Sequence, residues 1–155
     1  MKKLVQYWLE LLTGICLAVL VIATFLQVVF RFLLKIPAPW TEEVTRIAFA
    51  YMVFLGAALG AKYNRHLNVD VLGAVPAALR KWIVTAGYVF CMVFVAVFAY
   101  YGWVHTVNSS IQITPTLEIP LSWLYVVMPF SGIIILYYLG KSMLDEWRGR
   151  DVNKP

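Results

Sequence analysis

The side chains in this sequence that are able to do chemistry are few and far apart. Cys16 and Cys91 stand alone inside apolar runs, without the CxxC spacing that a zinc site or dithiol redox centre needs. His66 and His105 flank a long apolar stretch and would lie on opposite sides of a bilayer. A membrane haem needs histidines at matching depth on facing helices. No paired-carboxylate site and no Ser/His/Asp set can be assembled either. The sequence therefore predicts no catalytic residue, no metal site and no cofactor, and it argues against an enzyme.

One polar group is different. Pro37, Pro39, Trp40, Thr41, Glu42, Glu43 and Arg46 lead into a long apolar run. Pro39 suits the first position of a helix, and acids in the first turn complement the positive end of the helix dipole. Glu42 and Arg46 are four residues apart, in the order that favours pairing on one face. At about 100° per residue, Glu42, Arg46, Phe49, Val53, Gly56 and Gly60 form one stripe. It is charged at one end, and at the other it carries a GxxxG step that admits a neighbouring helix. Two occupants of that stripe remain open: another helix of the same chain, or a larger partner subunit.

These residues must be positioned by helices in a membrane. Of 155 residues, 62% are hydrophobic and only 14% charged, against about 25% charged in ordinary soluble domains. A chain this short could not bury so much apolar surface in water, and its aromatic content of 15% excludes disorder. The fold class expected is an all-α integral membrane protein, a single domain over 1–155 with four transmembrane helices. The spans are read at about 11–30, 40–61, 82–107 and 121–140. Asn108, Ser109 and Ser110 close the third span, Pro120 opens the fourth, Pro129 kinks it, and Gly140 followed by Lys141 stops it. Between the second and third spans, Lys62 to Lys81 reads as a segment lying along the membrane surface. The first apolar run is too long for a cleaved signal peptide and should remain as an anchor.

Lysine and arginine placement sets the expected orientation. With a cytoplasmic N-terminus, ten basic residues fall inside and three (Arg31, Lys35 and Arg46) outside, which predicts both termini in the cytoplasm. Basic residues spread along the chain in this way suit lipid headgroups and do not suit nucleic acid. The middle of every span lacks Asp, Glu, Lys, Arg and His. A protein moving charged solutes by itself would need such groups there. Gln27, Thr13, Thr24, Thr85 and Ser131 remain, and they read as backbone hydrogen bonds or contacts between helices.

The ordered set of Arg31, Pro37 to Trp40, Glu42, Glu43, Arg46, the run Phe54-Leu55-Gly56-Ala57, His66, Asp70, Leu72, Pro76 and Arg80 resembles one family. It is the small, Q-type membrane subunit of tripartite ATP-independent periplasmic (TRAP) transporters. The segment from Ile119 to Tyr125 is similar to that family as well. The resemblance covers nearly the whole chain. It implies a subunit of the bacterial inner membrane in a sodium-driven importer of organic acids. Its partners would be a large multi-span membrane subunit that moves like an elevator, a periplasmic binding protein, and membrane lipid. The small subunit would brace the large one and take part in docking the binding protein. Carried over, Trp40, Glu42, Glu43 and Arg46 would stabilise the outer end of the second helix, while His66 and Asp70 would order the inner linker. An independent homo-oligomeric four-helix transporter or channel is the alternative, and a haem- or quinone-linked anchor subunit is a third reading.

Overall fold

Each apolar run becomes a helix long and apolar enough to cross a bilayer, four in all among the described residues. The computed structural model describes residues 7–63 and 77–147. Helix α1 is Trp8–Val28 and continues through a π-helical segment, Val29–Leu34. Helix α2 is Pro39–Lys62, α3 is Ala77–Asn108, α4 is the short Ser122–Tyr125, and α5 is Val127–Trp147. Of the surface segment expected between the second and third spans, residues 64–76, with His66 and Asp70, lie outside the described residues.

The local signals explain most of these boundaries. Pro39 occupies the first turn of α2, where its missing N–H costs nothing. Ala38 offers no side-chain cap, so the turn closes on itself: the Thr41 N–H and hydroxyl both donate to the Ala38 carbonyl, at 3.1 and 2.7 Å. At the far end of α1, Lys35 adopts a left-handed φ of 53°, and the Ile36 N–H reaches back to the Phe30 carbonyl at 3.1 Å. That six-residue closure satisfies a terminal carbonyl in the manner usually reserved for glycine. Helix α3 ends at Asn108, close to where the Asn108-Ser109-Ser110 cluster predicts, and tightens into a 3₁₀ turn at Ser109–Ile111.

Four boundaries depart from expectation. Helix α1 starts three residues before the predicted start at 11, which places Glu10 inside it. Helix α3 is already formed at Ala77, ahead of the predicted 82. Pro120 does not open a helix but faces Ile113 in an isolated bridge, and α4 begins at Ser122. Gly140 does not stop α5, which runs on to Trp147. A single helical glycine costs only about 1 kcal/mol, and the extension is anchored by the Trp147 indole donating to the Thr85 hydroxyl at 3.2 Å. Pro129 acts where expected. It offers no N–H to the Tyr125 carbonyl, the next bond, from Phe130 to Val126, is long at 3.4 Å, and the helix is interrupted at Val126.

The helices pack as an open row in the order α1, α2, α5, α3: α1 lies on α2, α2 on α5, and α5 on α3. Leu9, Leu55, Ala58 and Val127 form the buried seam where α1, α2 and α5 meet. Helix α2 turns small residues toward its neighbours, burying Ala48, Ala58 and Ala61. Helices α3 and α5 cross closely. A Cβ on Gly132 would lie 2.7 Å from the Ala99 Cβ, and one on Gly102 would lie 2.9 Å from the Met128 Cβ. Hydroxyls inside the spans bond the backbone as expected: Thr13 and Thr24 donate to carbonyls four residues back, and Ser131 to the Met128 carbonyl.

Gly132→Ala should lower the thermal unfolding midpoint in detergent, at a cost of about 1–3 kcal/mol for overpacking. Gly14→Ala, where nothing lies within 4 Å, should leave the midpoint unchanged or raise it slightly. Equal midpoints for the two variants would refute the close α3–α5 crossing.

Candidate functional site

The first turn of α2 sets two carboxylates side by side and sends them in different directions. Glu42 lies exposed at the surface. Its contact with Arg46 is 3.7 Å long, with both side chains more than half exposed, so it contributes little to stability. Glu43 points inward and is only 7% exposed. Its Oε1 accepts the Thr116 N–H and its Oε2 accepts the Leu117 N–H, both at 2.9 Å. Backbone bonds to an ionised carboxylate are about twice as strong as neutral ones. Glu43 thus holds the loop between α3 and α4 against the start of α2.

That loop is itself ordered by its backbone. The Leu121 N–H donates to the Gln112 carbonyl at 2.8 Å, and the Thr114 N–H to the Ile119 carbonyl at 2.9 Å. The Thr114 hydroxyl accepts the Ile119 N–H, and Glu118 sits at a left-handed φ of 53° at the tip. Tyr51 adds a second tie, its hydroxyl donating to the Trp123 carbonyl at 2.8 Å. Trp40 packs edge-on against Phe30 at 6.2 Å and joins the end of α1 to the start of α2. Arg31 stays exposed, its guanidinium 5.8 Å from the Phe32 ring.

Of the stripe of Glu42, Arg46, Phe49, Val53, Gly56 and Gly60, the first four are exposed among the described residues and the two glycines are half-buried. Phe49 is 54% exposed and Val53 43%, and nothing lies within 4 Å of the position a Cβ would take on Gly56. The buried face of α2 is the neighbouring one, through Thr41, Ala48, Leu55 and Ala58. At the GxxxG step, Gly56 and Gly60 are half-buried, and the space beside Gly56 is open among the described residues.

Sequence reasoning missed a second polar cluster at the opposite end of the same helix pair. Lys62 meets Glu10 at 2.7 Å, and the Tyr63 hydroxyl donates to the same Glu10 oxygen at 2.6 Å. That hydrogen bond, helped by burial and by the charge of Glu10, pushes the Tyr63 phenol above its usual value. The other Glu10 oxygen is buried and has no partner among the described residues. One signal was available. Glu10 directly precedes one charge-free run and Lys62 directly follows another, so antiparallel packing brings them to the same level. Glu43 gave no such signal, because its partners are backbone amides 73 and 74 positions away.

With this geometry in view, comparison with known proteins decides the family. The family described as tripartite ATP-independent periplasmic transporters, DctQ component, matches residues 20–149. The chain belongs to that family. The small permease protein SiaQ of a sialic acid TRAP transporter from Vibrio cholerae is 25% identical over 138 residues, covering 88% of this chain and 80% of SiaQ. A putative TRAP transporter small permease protein from Haemophilus influenzae is 28% identical over 142 residues, covering 90% of this chain and 86% of that protein. The sialic acid TRAP permease protein SiaT of H. influenzae matches at 26% identity over 114 residues, which is 72% of this chain but only 18% of SiaT. These relatives are transporter permeases and not enzymes. This DctQ-family chain is accordingly a small, multi-pass membrane subunit of a TRAP transporter. The matched region contains Glu43, its loop and the open stripe of α2, while Glu10 lies before it.

Two outcomes are expected. Glu43→Ala should lower the thermal unfolding midpoint, speed amide exchange at Thr116 and Leu117, and open residues 112–121 to proteases. Unchanged protection of those two amides would contradict the clamp. In a double-mutant cycle, Glu10→Gln and Lys62→Met should couple by about 0.5–3 kcal/mol in thermal unfolding, whereas additive effects would show that the pair does not join α1 to α2.

Proposed function

We propose that this chain is the stationary scaffold of a sodium-driven importer of an organic acid. In this reading it braces a large elevator-type membrane subunit in the bacterial inner membrane. Both termini are cytoplasmic, so the Glu43 end faces outward and presents the loop from 112 to 121 to a periplasmic binding protein. The single observation that carries the proposal is the open stripe of α2. A helix that exposes phenylalanine and valine on one face, with open space beside a glycine on the same stripe and an ion pair at its rim, offers close van der Waals packing to a partner helix. The absence of ionisable groups from the middle of the spans supports a bracing role and not one of carrying solute. Sialic acid, in the names of two relatives, is an organic acid, and only that class is carried over to this chain.

A fixed support has a physical use in such a machine. If one part must travel across the bilayer relative to another, rotation of the whole assembly would cancel part of the displacement. Additional helices packed broadly against the non-moving part resist that rotation. Polar residues at the ends of α2 would then set the depth at which the two subunits meet, with Trp40 and Arg46 at the interface with water.

Gly56→Leu should fold as well as the parent chain, because the space beside it is open within the chain. Co-expressed with its large partner, the same variant should recover much less complex and show reduced solute uptake in proteoliposomes. Arg46→Ala should reduce recovery by a smaller amount, since its partner Glu42 is exposed. Full recovery of complex and full uptake with Gly56→Leu would overturn the scaffold reading of this face, as would accumulation of solute by the isolated chain.

A further inference from the structure

We propose that the pocket at the α1–α2 turn binds the phosphate of a phospholipid headgroup. Its wall on α1 is a ladder of Gln27, Arg31 and Lys35, which recur every four residues through the π-helical end of the helix. Insertions of this kind into a helix often mark functional positions, because they re-aim the side chains that follow. The opposite wall is the turn from Ile36 to Pro39, and the cavity measures about 430 Å³.

The electrostatics favour an anion. Neither Arg31 nor Lys35 takes part in an ion pair among the described residues. Glu42 is the one carboxylate lining the pocket, and Arg46 meets it from the next turn at 3.7 Å. The start of α2, the positive end of a helix 24 residues long, adds to the same field. Two cations outside any ion pair among the described residues thus line a space large enough for a phosphate group, and the planar guanidinium of Arg31 suits two of its oxygens at once.

Position selects lipid as the source. The apolar span runs from Trp8 to Leu34, so Arg31 lies about one turn inside its end, at the depth where long basic side chains reach for headgroups. Beside it, Phe32 and Leu33 are 68% and 78% exposed, forming an apolar surface against which acyl chains can lie. A free phosphate ion would use the cations but not that surface. This inference stands apart from the scaffold role, since it concerns the isolated chain.

The test uses the full chain, purified in maltoside detergent and titrated with phosphatidylglycerol in mixed micelles, with lipid occupancy read by native mass spectrometry. The parent chain should hold one lipid, and Arg31→Gln/Lys35→Gln should weaken binding roughly thirtyfold, as expected for two basic residues at a membrane surface. Lys141→Gln, at the other end of the chain's spans, should bind as the parent does. Arg31→Lys should retain part of the affinity, and it keeps the test decisive should the double variant fail to fold. Parent-like occupancy in a folded double variant would overturn the proposal. So would full displacement of the lipid by millimolar inorganic phosphate, which would assign the pocket to a free anion. Loss of a co-purifying larger permease from the double variant, with lipid binding intact, would assign it to a protein contact instead.

Discussion

Inside a bilayer the hydrophobic effect does not draw one apolar helix to another, because lipid tails are as apolar as leucine. Every feature that holds this chain together answers to that constraint. Where helices cross closely, they do so through glycine and alanine, as Gly102 and Gly132 do between α3 and α5. Polar groups join them as well, through Glu43 at one end of α2, Lys62 at the other and the Tyr51 hydroxyl between. Helix α2 is therefore fixed at both ends by its own chain, and one of its faces stays exposed among the described residues from Glu42 to Val53.

The division of labour between the two neighbouring acids follows from one residue of helical rotation. Glu43 exchanges solvent for two backbone amides and becomes part of the architecture. Glu42 stays exposed with Arg46 and contributes to the character of the uncovered face. A family membership resting on sequence similarity cannot separate these roles; the difference between a buried clamp and an exposed rim appears only once the loop from 112 to 121 is seen folded over α2. The small permease thus keeps its polar groups where they organise surfaces and leaves the middle of the membrane to packing.

How much of this was legible in the sequence depended on the range of each interaction. Charge-free runs gave four spans, Pro39 gave the start of α2, and the Asn108-Ser109-Ser110 cluster gave the end of α3, because each signal is local. The Glu42–Arg46 pair was equally legible at four residues' spacing. Gly140 misled because one glycine is a weak stop once Trp147 can reach Thr85, 62 positions away. The true positions of Glu10 and Glu43 depended on partners 52 or more residues distant, and the π-helical end of α1 carries no pattern that composition could disclose. The stripe from Glu42 to Gly60 was visible as a stripe. Its freedom from internal packing was not, since that depends on which neighbouring face of α2 the other helices take.

The order of the row has a consequence for biosynthesis. Helices α1 and α2 are adjacent both in sequence and in space, so they can pair as a hairpin as soon as they leave the ribosome. Helix α3 emerges next, but its place is on the far side of α5. It must wait unpaired in the lipid until α5 is inserted between it and α2. Helix α5 is the keystone, and a chain released before α5 is made would leave a hairpin and a lone helix, each a natural target for membrane quality control.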